Sequence, residues 1–261
     1  MQPDWTYVKK TSLWNYDELL KKLNSVLTYP VIRRAYNEDM CHAAAFCQRL
    51  FPTKNIDGDL YPAQILATMT QLELVGIVNW SDLLSRISSR DACDTFIAEN
   101  NLHFEELINV LNYLLRWGFP FETATWELLD HQNPFEMFSY EALKQRKLMN
   151  NFDILEQGQT GKGRSNLADY TGLPLAFINC LAHRADIVRL PFVRRKTLLP
   201  ICGAGYDTLY KIASADVSEM ESSLDTFFRS SIGKSWKNYR SVIVLKGMIA
   251  TARVLPVIME E

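Results

Sequence analysis

Twice in this sequence a proline is followed fourteen positions later by a glycine and then by a capping residue: Pro62, Gly76 and Asn79, and again Pro191, Gly205 and Thr208. Glycine has no Cβ, so it takes the left-handed conformation that closes a helix end without strain. Asn or Thr three positions on can accept a hydrogen bond from a free amide of the next helix. The pattern predicts, over 190–213, two short helices joined by a glycine turn. A pair that small cannot bury its own apolar face and must dock on neighbouring helices.

The two copies align at an offset of 129, which also puts Leu72 on Ile201, Ile77 on Tyr206 and Leu83 on Ile212. Asp94-Thr95-Phe96 then meets Asp225-Thr226-Phe227 at an offset of 131. A second echo, at an offset of 71, sets Leu72, Ile77, Asn79, Asp82 and Leu84 on Leu143, Leu148, Asn150, Asp153 and Leu155. Lys147 stands there in place of Gly76, so that turn is expected to close differently. The reading is a repeated helical unit; its alternative is the general likeness of amphipathic helices to one another.

Asn15 with Glu18 forms a capping-box pattern ahead of Leu19, Leu20, Leu23, Val26 and Leu27, and Tyr29-Pro30 ends that helix. A second helix is expected from about Val31 to Leu50. The turn-forming TKNIDGD at 53–59 and the breaks at 117–120 and 131–134 punctuate the chain, and QGQTGKGRSN at 157–166 reads as a polar glycine-rich loop. No run of alternating β-branched residues argues for a sheet. The fold class is all-α, with an N-terminal helical segment at 1–59, a first unit at 60–135 and a second at 136–261 that includes the C-terminal helices.

Residues 1–139 carry 11 Lys and Arg against 18 Asp and Glu, and 140–261 carry 17 against 12, so the net charges are -7 and +5. A polyanion would meet the C-terminal side; the alternative is an ordinary solvated surface. Five scattered cysteines without a CxxC pair read as buried apolar residues in a reducing, cytoplasmic setting. MQPDWTYVKK lacks the apolar core of a signal peptide. Lys246 and Arg253 interrupt the apolar stretch near the end, which is expected to pack as a helix and not to enter a membrane.

The stretch 168–215 resembles the helix-hairpin-helix superfamily, and more narrowly a tandem helix-hairpin-helix family of unknown function. The likeness is carried by Gly172-Leu173, Leu181, Ala182, Arg184-Ala185-Asp186, Arg189, Leu190, Pro191, Val193, Gly205, Tyr206, Thr208, Leu209, Ile212 and Ala213. Nucleic-acid-binding members place glycines in the hairpin so that backbone amides reach a phosphate. The matching positions here are Phe192 and Arg194. A ring and a guanidinium replace that smooth backbone nest.

The residues expected to contact phosphates are Arg189, Arg194, Arg195 and Lys196 at the hairpin, Lys162 and Arg164 on the polar loop, and Lys234, Lys237 and Arg240 beyond it. Pro62, Gly76, Pro191, Gly205 and Thr208 are structural. GQTGKGRS lacks the P-loop spacing, Asn55 to Asp59 lacks most ligands of a calcium loop, and Cys41-His42 with Cys47 lacks a fourth metal ligand. Dispersed histidines give no warrant for catalysis, a metal or a cofactor. Trp80, Tyr113, Trp117 and Trp126 read as core, or as a partner surface if exposed together. The expected activity is non-enzymatic binding of DNA or RNA through backbone phosphates. The alternative is a scaffold whose hairpins dock a protein partner or a second copy of the chain.

Overall fold

The helices of this chain begin where a side chain can take up free amides. In the computed structural model, which describes residues 3–51, 60–191, 193–231 and 242–260, α1 (Trp5–Ser12) is capped by Asp4 and α2 (Tyr16–Leu27) by the complete Asn15–Glu18 capping box. Leu19, Leu20, Leu23 and Leu27 line the buried face of α2. The single helix expected over 31–50 is instead two, α3 (Pro30–Tyr36) and α4 (Met40–Leu50). Asp39 accepts from the His42 amide at 2.9 Å and so starts a new helix, while Asn37 Oδ1 accepts from the Ser81 amide at 2.8 Å. The TKNIDGD segment lies outside the described residues.

The chain is all-α: the described residues contain helices and two isolated antiparallel bridges, Asp39 with Asn79 and Ala124 with Asn150. It divides into two units, 1–119 and 120–261. The N-terminal helices belong with the first unit because α4 and α1 pack on α5 (Leu60–Leu74) and α8 (Phe104–Tyr113), and α2 packs on α6 (Trp80–Arg86). Ile32, Ile65, Met69, Leu72, Leu83 and Leu107 are 0–1% exposed in that core, each burial contributing about 1.5–3 kcal/mol. The unit is completed by α7 (Arg90–Asn100) and a π-helical turn, Leu114–Gly118.

In the second unit α9 (Thr125–Leu128), α10 (Pro134–Gln145), α11 (Asn151–Gly158) and α12 (Gly161–Thr171) precede α13 (Leu175–Ile187). Helix α13 is the hub, packing on α9, α11, α12, α14 (Arg195–Gly203) and α15 (Leu209–Ser214). Helices α16 (Val217–Ser231) and α17 (Val242–Ala252) close the unit. At 11 residues, α17 is far shorter than a bilayer requires, and no helix among the described residues is long and apolar enough to cross a membrane. The expected loop at 157–166 is mostly helix: α11 runs to Gly158, and Thr160 caps α12 by accepting from the Gly163 amide at 2.9 Å. A Cβ on Gly163 would stand 2.2 Å from the Gln157 carbonyl oxygen, so glycine is required there by close packing.

One turn recurs three times. After α5 the Ile77 amide donates to the Leu72 carbonyl and the Gly76 amide to Glu73, both at 3.0 Å. Leu148 to Leu143 and Lys147 to Lys144 repeat this after α10, as do Tyr206 to Ile201 and Gly205 to Cys202 after α14. Each turn has one left-handed residue, Gly76 (φ 81), Lys147 (φ 60) or Gly205 (φ 97), and each is followed three positions later by a capping side chain, Asn79, Asn150 or Thr208. Lys147 therefore closes its turn in the same way as the glycines. At the offset of 71 the register continues, with Ser89 and Thr160 as caps and Asn101 and Gly172 as left-handed helix ends. The prolines are less alike: Pro62 lies inside the first turn of the 15-residue α5, whereas Pro191 precedes α14 by four positions. Helix α14 continues through Pro200.

Candidate functional site

Of the cations expected to meet phosphate, two are spent inside the second unit. Arg189 is 2% exposed, donating to Asp186 Oδ1 at 2.8 Å and to the Pro256 carbonyl at 3.0 Å. Arg164 is 7% exposed and donates to Asn179 Oδ1 at 2.9 Å and to the carbonyls of Gly158 and Gln159. A buried guanidinium needs these partners, because an uncompensated charge away from water is costly. Neither side chain can reach a phosphate. A third arginine, Arg184, is similarly enclosed, paired with Glu136 through contacts of 2.7 and 3.1 Å while Glu136 also accepts from the Asp130 amide.

Arg194, Arg195 and Lys196 lie at the start of α14. Arg194 is its N-cap residue, half-buried, with its guanidinium 4.5 Å from the Phe121 ring centre and one N–H on the Val193 carbonyl. Burial pushes its pKa down, opposed by the charge of Glu127. Arg194 is thus largely an anchor. Arg195 and Lys196 are exposed. Lys162 is exposed on the first turn of α12, a different helix. Lys234, Lys237 and Arg240, like Phe192, lie outside the described residues.

Arg195 is not isolated. Its guanidinium donates to Nδ1 of His131, whose Nε2–H donates to the Trp126 carbonyl at 2.8 Å. A guanidinium only donates and a carbonyl only accepts, so Nδ1 is the acceptor in the first contact and Nε2–H the donor in the second. The His131 ring centre is 4.0 Å from that of Trp126, and Tyr140 meets the indole edge-on at 5.0 Å. Trp126, expected in the core, is 37% exposed, whereas Trp80 and Tyr113 are 3% and 1% exposed. Helix α9 has only four residues and turns Leu128 inward, which leaves Trp126 on the outer face. The sequence signal for this group was the aromatic and histidine density around a one-turn helix flanked by breaks.

Counted over the units 1–119 and 120–261, the charge asymmetry largely vanishes: the first carries 11 Lys and Arg against 14 Asp and Glu, -3, and the second 17 against 16, +1. The cysteines also differ from expectation: Cys47 and Cys93 are buried, burial pushing both thiols up to about 11, but Cys41 is exposed and Cys180 and Cys202 are partly so. His42 pairs with Asp39, and no group of three or more potential metal ligands occurs among the described residues. No protein-family model, curated protein or solved structure matches the chain.

Proposed function

We propose that this protein is a non-enzymatic binding module that holds the backbone phosphates of a nucleic acid at the start of α14. The observation that carries the reading is the pair Arg195 and Lys196, adjacent and exposed, with Arg195 held by its contact to His131. Lys162 extends the surface if the strand runs on toward α12. Side-chain cations, and not backbone amides, supply the attraction, so binding discriminates little between sequences. Five free thiols suit a reducing cytoplasm. The test is fluorescence anisotropy with labelled DNA and RNA strands at low and moderate salt. Wild type should bind at low salt and weaken as salt rises, and Arg195→Glu/Lys196→Glu should weaken low-salt binding by about tenfold or more. Absence of wild-type binding at low salt sinks the reading.

A second reading, docking of a protein partner, rests on Phe138 and Phe135, 78% and 43% exposed and one helical turn apart on α10. Phe135 is held edge-on to Phe177 at 5.3 Å. Sedimentation separates the two readings: self-association abolished by Phe138→Asp, with no strand bound, favours the second.

A further inference from the structure

We infer that Trp126 is a stacking platform for an unpaired base, so that the strand held at α14 is single-stranded. This rests on the phosphate-binding reading above. The indole is exposed yet held from two directions, by His131 at 4.0 Å and by the edge of Tyr140 at 5.0 Å. A ring fixed in this way loses little freedom when a base lies against it. The same His131 that contacts the ring receives the Arg195 hydrogen bond and donates to the Trp126 carbonyl. One imidazole therefore ties an aromatic face to a phosphate-reaching cation. An aromatic face beside a cation is the combination that single strands require, because every unpaired base has a π-face and every linkage a charge. A duplex keeps its base faces stacked inside and could use only the cations.

The experiment measures binding of the full chain to a labelled oligothymidylate, to a duplex of equal length and to a strand of the same phosphate count made of abasic sites. Wild type should prefer the oligothymidylate to both by about tenfold. Trp126→Ala should remove that preference, Trp126→Phe should keep most of it, and circular dichroism should report unchanged helix in both. If Trp126→Ala disturbs the fold, the abasic strand reads the same quantity on the wild type. Equal affinity of wild type for abasic and base-bearing strands overturns the platform and leaves phosphate binding standing. Failure of wild type to bind any of the three overturns both.

Discussion

Arg184 and Glu136 show how much the second unit commits to buried charge. Their side chains are 10% and 8% exposed, in a two-point contact that also takes the Leu128 carbonyl and the Asp130 amide. Glu136→Gln would leave a guanidinium buried without its countercharge, and should cost about 3–5 kcal/mol in urea unfolding. At the surface the Asp39–His42 cap works in the opposite regime. The hydrogen bond that its ring donates to Asp39, and then the Asp39 charge, raise the His42 pKa, while the His42 amide and ring lower that of Asp39. His42's contribution is complete below its unfolded-chain pKa and is lost as pH rises through the raised folded value. Asp39's is present above its unfolded value and is lost as pH falls through the depressed one. In an NMR titration His42 should titrate above an ordinary imidazole, and Asp39→Asn should bring it back. The thiols divide by exposure as well. Alkylation of the native protein should mark Cys41 first, and Cys47 and Cys93 should react only after denaturation.

Helix ends were the part of the fold most legible in the sequence, for a reason specific to them. A left-handed residue and an amide-accepting cap restrict residue type at single positions, so Gly76 with Asn79 and Gly205 with Thr208 leave a mark that survives change elsewhere. Nothing lies within 4 Å of a Cβ added at Gly76 or Gly205, so Gly→Ala at either meets no clash and its cost is backbone strain alone, about 1–2 kcal/mol in urea unfolding. Lys147 is the converse. It holds the same conformation with a side chain, and Lys147→Gly should stabilise by up to about 1 kcal/mol, strain relief set against the added freedom of the unfolded chain. Interior placement was not legible in this way. Arg164 and Arg189 look like Arg195 in sequence, and what separates them is whether a carboxylate, an amide oxygen or a carbonyl waits in the fold, which local pattern does not encode. The glycines at 158–163 were misread for a related reason: Gly163 answers the Gln157 carbonyl across a helix junction, not a need for a loop.

Across the whole molecule, two nearly neutral units mean that no broad field draws a polyanion in, so the proposed association would depend on contacts at one place. The salt dependence of binding therefore counts those contacts. On a single strand log K falls with log salt by about 0.7 per phosphate neutralised. Arg195 and Lys196 alone give a slope of about -1.4, and engagement of Lys162 as well gives about -2.1. Had all nine cations first expected at the interface faced the ligand, the slope would approach about -6.3. Arg164→Gln and Arg189→Gln should lower stability without changing the slope of the protein that remains folded, because those guanidinium groups already point into the core. Arg195→Glu/Lys196→Glu should leave stability nearly untouched and bring the slope toward zero. A wild-type slope steeper than about -3 would mean that the contact surface extends well beyond the start of α14.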